Sequence, residues 1–314
     1  MCRPSPAGNL ESREFEDIPE ANNITLSLPH AAEKAIDPRA FNSVPGSRRF
    51  GREMRERQLN SYLPNVIGKG HADSVYGPVM KFSHGDPATD ERAVMRQAQF
   101  RDELFQWGTG GLCGCTMVTL VSRRAVWMAH FWETFSHADS DWVPGAPIPA
   151  PDQFGTEHMV SYRQFQQRIL RALRTAEPPA NPVTARGRNP KGYIAPEGPP
   201  IDPKLFNDPE DGTELHIMTP YVSTEEPIET TTELEYANRI EEVKAEIADI
   251  LGIRPMEHVW PYRKLRWSYP DEYALVDKTC RGFALFQYDP DADGDGNRGW
   301  RIMYESKEIR KFLD

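Results

Sequence analysis

A cysteine and a histidine in this chain have the spacing of a nucleophile and its base. Cys115 ends a glycine-rich segment, and His130 follows it fifteen residues later. Residues 117–121 (MVTLV) and 125–131 (AVWMAHF) are rich in β-branched and bulky apolar side chains, which predicts two strands. The polar residues 122–124 (SRR) separate them. A thiol beside an imidazole predicts attack of a thiolate on a carbonyl carbon.

The register of this hairpin decides whether the two groups meet. If the turn falls on Ser122-Arg123, the numbers of paired residues sum to 245, and Cys115 lies opposite His130. A register whose sum is 247 keeps both side chains on one face as diagonal neighbours. Only a one-residue slip would put them on opposite faces. A free thiol titrates near ~8.5, so it needs a neighbouring base to ionise at neutral pH.

The residues around the cysteine fit acyl transfer. Gly110, Gly111 and Gly114 allow the backbone to pass close to a substrate, and the N–H groups at Gly114–Cys115 are expected to hold an oxyanion. The Thr109 hydroxyl, or a nearby carbonyl, is expected to orient the second imidazole nitrogen. The predicted reaction releases an amine or ammonia and then hydrolyses the thioester.

Residues 112–116 (LCGCT) with His130 resemble the Leu-Ser-Gly-Cys-Thr segment and downstream histidine of the glutamine deamidases. That superfamily includes the cytotoxic necrotizing factors, the Burkholderia lethal factor and the chemotaxis enzyme CheD. The resemblance implies that Cys115 is the nucleophile, His130 the base and Thr109 a further member of the site. Cys113 replaces the usual serine of the family, and Cys115, which precedes Thr116, remains the predicted nucleophile.

The activity implied by the resemblance is hydrolysis of a glutamine side-chain amide to glutamate on a protein target, without a cofactor. Bacterial toxin members act on host Rho-type GTPases or on a translation helicase, so a toxin or effector role toward small GTPases is a further expectation. The likeness covers about residues 109–131. A thiol peptidase, a transglutaminase, or a binding protein in which the hairpin is structural remain alternatives.

The composition limits which other kinds of protein this chain could be. The chain has 314 residues, 39% of them hydrophobic and 27% charged, and a net charge of −10 without a long basic run. Nucleic acid is therefore not an expected partner. No stretch reaches transmembrane length, and the N-terminus lacks the apolar region of a signal peptide. Four cysteines, two of them one residue apart, do not suggest a disulfide framework. We expect a soluble protein of the cytoplasm, or one delivered to a host cytosol.

Two metal patterns are weak, and no metal or cofactor is predicted. Asp289, Asp291 and Asp293 imitate the first half of a calcium loop, but Trp300 stands where a bidentate glutamate is needed. Cys113, Cys115, His130 and His137 could be pictured as a zinc site, but the cysteines are spaced too tightly. The histidines interpreted as structural or surface residues are His158, His216 and His258.

The predicted fold class is α+β: a central β-sandwich of mixed or antiparallel strands with flanking helices. Helices are expected over residues 89–107, 157–175 and 232–251, and a hairpin over 283–288 and 300–304. Thr230 with Glu233, or Thr232 with Glu235, predicts a capping box, and Gly252 predicts the end of that helix. Residues 1–60 read as a loosely ordered polar arm, and 61–314 as one catalytic domain with a Pro/Gly-rich insertion at 177–212.

Overall fold

The computed structural model describes residues 50–68, 76, 79–82, 93–132, 162–181, 195–222, 232–265, 270–273, 275 and 278–313. Its strands are β1 (Met80–Lys81), β2 (Val94–Gln99), β3 (Phe105–Thr109), β4 (Thr116–Val121), β5 (Ala125–Phe131), β6 (Glu214–Pro220), β7 (Met256–Tyr262), β8 (Ala284–Asp289), β9 (Arg298–Tyr304) and β10 (Lys307–Leu313). They form two five-stranded sheets, the first ordered β1-β3-β8-β9-β10 and the second β2-β5-β4-β6-β7.

The two sheets pack face to face, which confirms the predicted sandwich. Each sheet is mixed, because β1 runs parallel to β3 and β6 runs parallel to β7, while the other pairs are antiparallel. Alternate side chains point between the sheets, and the interior brings Met117 and Met128 together with Phe286 and Ile302. Burial of this large apolar layer is the main force that holds the sheets together.

Helices cover the outer faces of both sheets, as the predicted α+β class requires. The α-helices of the described residues are α1 (Glu56–Leu63), α2 (Tyr162–Phe165), α3 (Arg171–Arg174), α4 (Ala237–Leu251) and the short α5 (Pro270–Tyr273), with π-helical turns at Pro64–Gly68 and Gln166–Leu170. The helix α4 packs Ile240, Val243 and Ile247 on the second sheet, and α1 packs Leu59 and Leu63 on the first. Within the described residues, no helix has the length and apolar character needed to cross a membrane.

The segment before α1 is fastened to the first sheet by buried polar contacts. Arg301 lies over the Phe50 ring, 4.8 Å from its centroid, and donates to the Phe50 carbonyl at 3.3 Å. Its Nε donates to Gln287 at 2.7 Å, and Glu308 accepts the Met54 N–H at 2.8 Å. Residues 50–60, which the sequence assigned to the arm, therefore belong to the folded domain; residues 1–49 lie outside the described chain.

The predicted helix over residues 89–107 is wrong. The chain there forms β2 and β3, which belong to different sheets, and residues 83–92 lie outside the described chain. The spacing of Val94, Ala98 and Phe105 imitates a helical stripe, but β2 pairs along its whole length with β5. Phe100, the first residue after β2, stacks on Tyr288 with ring centroids 4.4 Å apart. Long-range pairing here overrides a local period.

The helix predicted over residues 232–251 begins later than expected. It starts at Ala237 after Tyr236, which makes no side-chain cap, so the predicted capping box does not mark its start. The residues before it are held in extended pairing, because Val222 donates to the Glu233 carbonyl and Glu235 donates to that of Pro220. Gly252 ends the helix with φ of 67°, as predicted.

The C-terminal half of the predicted insertion is packed on the second sheet. Glu197 pairs with both Ala93 and Met95 through backbone hydrogen bonds, and Trp127 donates to the Pro199 carbonyl at 3.0 Å. Ile201 is buried in the same core. Residues 195–212 are thus part of the domain, and 182–194 lie outside the described chain. The predicted terminal hairpin is confirmed as β8 and β9; β10 was not predicted.

Candidate active site

The hairpin that carries the two predicted catalytic residues closes on Arg123-Arg124. Ser122 and Ala125 flank the turn, with the Ser122 N–H donating to the Ala125 carbonyl at 2.9 Å. The Ser122 hydroxyl accepts the N–H groups of Arg124 and Ala125 at 3.0 and 3.1 Å, which explains why the turn falls one residue later than the first prediction. The register therefore has the sum of 247, with Met117 opposite His130.

In this register Cys115 and His130 are diagonal neighbours on the interior face. Cys115 directly precedes β4, packs in the layer between the sheets and is 1% exposed. His130 lies in β5, two positions from the interior residue Met128, and is also buried. Diagonal pairs in an antiparallel sheet are roughly 7–8 Å apart, with Cβ atoms somewhat nearer, so a thiol and an imidazole can meet across them.

The imidazole of His130 is oriented by a backbone carbonyl. Its Nδ1 lies 3.1 Å from the Phe82 oxygen, and a carbonyl can only accept a hydrogen bond. Nδ1 therefore carries the proton in the neutral ring, and Nε2 carries the lone pair of a base. Trp132 stacks on the imidazole with centroids 4.3 Å apart. These two contacts fix both the tautomer and the plane of the ring.

Phe82 is itself held from two directions. Its N–H donates to the Gly108 carbonyl at 3.2 Å, which continues the parallel pairing of β1 with β3. Its ring stands edge-on to Trp107, with centroids 6.4 Å apart. Arg96 lies 5.6 Å from the centroid of the ring and donates to the Lys81 carbonyl at 3.1 Å. The carbonyl that orients His130 is thus anchored to both sheets.

The predicted role of Thr109 in orienting the imidazole requires correction. Thr109 is the buried last residue of β3, paired with Ala284, and the group at Nδ1 of His130 is the Phe82 carbonyl. The alternative expectation, a nearby carbonyl, describes this contact. The alternation of β3 places Thr109 on the same interior face as Trp107, so it remains in the layer that contains Cys115.

The glycine-rich loop brings backbone groups to the predicted nucleophile, Cys115, and Tyr262 bonds to them. The Gly114 N–H donates to the Tyr262 hydroxyl at 2.9 Å, and this hydroxyl donates to the Cys115 carbonyl at 2.7 Å. Gly114 has φ of 149°, which brings its N–H into this bond. The predicted oxyanion donor is thus bonded to Tyr262 in this conformation. Tyr262 was not among the predicted site residues.

The two glycines at the start of the loop are close to neighbouring groups. A Cβ added at Gly110 would lie 2.4 Å from the Phe283 ring, so no larger residue fits there without a shift. Gly111 has φ of 71°, and its carbonyl accepts from the Cys113 thiol at 3.3 Å. The loop is therefore packed against the residues that precede β8. The Cys113 thiol points back into the loop, toward the Gly111 carbonyl.

Replacing Tyr262 with phenylalanine is expected to loosen the loop that carries Cys115. The substitution leaves the Gly114 N–H without its buried acceptor, at a cost of about 1–3 kcal/mol of unfolding free energy. Denaturant unfolding measures this loss, and amide hydrogen exchange at Gly114 and Cys115 should quicken. Tyr304→Phe is the matched control, because that buried hydroxyl bonds to Thr119 in the centre of the interior. Unchanged exchange at Gly114 in Tyr262→Phe would contradict the expectation.

The acidic turn between β8 and β9 satisfies its own carboxylates. Asp293 accepts the N–H groups of Asp295 and Asn297 at 2.9 and 3.0 Å, and Asp291 accepts that of Gly296 at 2.7 Å. These bonds are those of an acidic hairpin turn. The zinc alternative cannot be assembled from described residues, because His137 lies outside them.

A second group of polar side chains lies at the other end of the second sheet. Among the described residues, Glu214, His216 and His258 are the group whose potential metal-ligating atoms all fall within 4.8 Å of one another. Glu214 pairs with Val121, whereas the Cys115 end of β4 lies beside Thr219 and Pro220. Sequence patterns did not link these residues, since β6 and β7 are separated by the helix α4.

Comparisons with known proteins add no assignment to this geometry. No protein-family model matches the chain, and no curated protein matches it. The resemblance over residues 109–131 therefore stays a prediction based on the residues themselves.

Proposed function

We propose that this chain is a cysteine-dependent amidohydrolase that converts glutamine side chains of a protein substrate to glutamate. The observation that carries the proposal is the contact of His130 Nδ1 with the Phe82 carbonyl, on the sheet face to which Cys115 also belongs. This contact leaves Nε2 as the basic nitrogen, as a general base requires. Because a buried imidazole N–H needs an acceptor in any case, the tautomer supports the proposal through the position of Cys115 on the same face.

The proposed reaction has two halves. Cys115 Sγ forms a bond to the amide carbon while His130 Nε2 takes the thiol proton; the imidazolium then protonates the departing nitrogen, and the C–N bond breaks to release ammonia. In the second half a water molecule gives its proton to His130 and attacks the thioester. The C–S bond breaks, the thiol regains the proton, and glutamate is released. Backbone N–H groups of the loop stabilise each oxyanion.

The proposed oxyanion site must open before it can act. Tyr262 accepts the Gly114 N–H, so its hydroxyl has to give way to the substrate oxygen or share the donor. The nucleophile is also buried, at 1% exposure. A large protein surface is better suited than free glutamine to drive such a change, because its binding energy can offset the cost of opening. A small GTPase is the first candidate substrate, on the basis of the family resemblance alone.

The test is a comparison of lysates treated with the wild-type chain and with Cys115→Ala, in water enriched in heavy oxygen. We expect glutamate carrying one heavy oxygen to replace specific glutamines of a target only with the wild-type chain. Cys113→Ser is the matched control and is expected to retain the activity. Loss with Cys113→Ser and retention with Cys115→Ala would overturn the assignment of the nucleophile.

Other products would refute deamidation itself. Glutamines joined to amines would identify a transglutaminase, and new chain ends would identify a peptidase. Target glutamines unchanged in lysates and in a panel of purified small GTPases, despite a reactive Cys115, would count against a glutamine substrate.

A further inference from the structure

We propose that Glu214, His216 and His258 form a binding site for a borderline divalent metal such as Zn²⁺, separate from the cysteine site. The inference stands independently of the proposed amidohydrolase activity. Two imidazoles and one carboxylate, with a fourth position open to water, are a ligand set typical of zinc. Calcium and magnesium prefer sites made of oxygen ligands.

The backbone places the three side chains together. His216 in β6 and His258 in β7 are directly paired across parallel strands, and their rings lie 4.7 Å apart. Glu214 lies two residues before His216, so it shares that face of the sheet. The strands β6 and β7 are far apart in the sequence, but their backbone pairing holds the two histidines in place even without a bound ion.

The distances fit a single ion. Glu214 Oε2 lies 3.0 Å from His216 Nε2 and 3.8 Å from His258 Nε2. Ligand atoms around a tetrahedral zinc ion, each about 2.0–2.2 Å from the metal, are separated by roughly 3.3 Å. All three ligand atoms lie within 4.8 Å of one another, so side-chain adjustment can bring them to a single ion. The His258 side chain is 33% exposed although its Nε2 is buried, so a rotation of this ring would admit an ion, whereas His216 is buried.

The contacts of the carboxylate also suit metal binding. Metal is bound by a carboxylate and by neutral imidazoles, and Glu214 Oε2 already faces Nε2 of both histidines. Lys311, on β10 of the other sheet, occupies only Oε1 of Glu214, at 2.7 Å.

One contact must change when the ion enters. Trp260 Nε1 donates to His216 Nδ1 at 3.2 Å, so the neutral ring carries its proton on Nε2. Coordination through Nε2 moves that proton to Nδ1, and the Trp260 N–H must then turn away from it. Trp260 therefore opposes the metal, and its removal is expected to strengthen binding. This expectation distinguishes a metal site from a hydrogen-bonded cluster.

The experiment titrates the full chain, freed of metal with a chelator, with Co²⁺ followed by its visible absorption and by competition with Zn²⁺. We expect one Co²⁺ per chain, displaced by Zn²⁺, and a loss of affinity of at least about a hundredfold in His258→Ala, since even outer-shell partners contribute 10–100-fold. Trp260→Phe should bind about fivefold more tightly, the equivalent of one hydrogen bond. His130→Ala, at the other end of the sheet, is the control that should bind as the wild type does.

Three results would overturn the proposal: no Co²⁺ binding by the wild-type chain, binding unaffected by both His258→Ala and Glu214→Gln, or thiolate-to-cobalt absorption that identifies the cysteines as ligands. Binding no tighter in Trp260→Phe would exclude His216 Nε2 as a ligand and so reject the three-residue site. Circular dichroism of each variant establishes that it is folded, and the one-third exposed His258 is the ligand whose removal least disturbs packing.

Discussion

At about pH 6, the His130→Ala variant is expected to be alkylated at Cys115 about a hundredfold more slowly than the wild-type chain. An ordinary thiol with a pKa near ~8.5 is only about 0.3% ionised at that pH, whereas a thiolate paired with an imidazolium is mostly ionised. Because a stabilised thiolate is intrinsically less reactive, the difference in alkylation rate is smaller than the difference in ionised fraction. The measurement is the rate of iodoacetamide labelling of Cys115 from about pH 5 to 9, located by mass spectrometry.

Because Cys115, the proposed nucleophile, is buried, the shape of the pH profile is more informative than the rate. Cys115 reacts only when the site opens, and that opening scales the labelling rate of both chains at every pH. Both chains carry Cys113→Ser, so that labelling of Cys115 cannot be confused with labelling of the nearby Cys113. Cys280 is an internal reference, because burial raises the pKa of its thiol to about 12 and it should stay slow throughout. Superimposable profiles for the wild type and His130→Ala would remove the basis for the proposed catalysis.

Replacing Arg301 with alanine is expected to lower the free energy of unfolding by about 3–5 kcal/mol, the range measured when one partner of a buried ion pair is removed. Arg301 lies 3.7 Å from the Glu308 carboxylate, whose side chain is 0% exposed. The substitution also removes the hydrogen bonds to Gln287 and to the Phe50 carbonyl. Guanidinium unfolding of the full chain measures the loss.

Arg310→Ala is the matched control for this prediction. Arg310 also lies 3.7 Å from Glu308, but it is partly exposed, so the loss should stay within about 1 kcal/mol. The double variant Arg301→Met/Glu308→Gln removes both charges and should recover part of the stability lost in Arg301→Ala. A loss in Arg301→Ala no larger than that in Arg310→Ala would show that Glu308 does not depend on Arg301.

The predicted hairpin was correct because its information is local. Residues 117–121 and 125–131 are apolar and β-branched on both sides of a polar break, and each lies within one strand of the structure. The period of two then places Cys115 and His130 on one face for either of the two registers considered. The turn position depended on the Ser122 hydroxyl, which a strand pattern does not encode.

The groups that complete the site could not be predicted from residue types. The partner of His130 is a backbone carbonyl, which every residue possesses, and it lies 48 positions away at Phe82. Tyr262 is 147 positions from Cys115, at the end of a strand that was not predicted. The error over residues 89–107 has the same origin, since β2 is stabilised by pairing with β5 and not by its own period.

Burial of Cys115 also determines how fast its thiol reacts with oxidants. Oxidation to sulfenic acid and beyond requires both a thiolate and access to the oxidant, and at 1% exposure the second condition fails in the resting conformation. Peroxide therefore reacts only with the open fraction of molecules, as would the proposed substrate. Under the proposed function, a variant that opens the loop more often should gain access to that substrate and lose its thiol to sulfinic acid in the same proportion. The proposed function thus couples the working lifetime of the protein in an oxidising medium to the equilibrium that would admit its substrate.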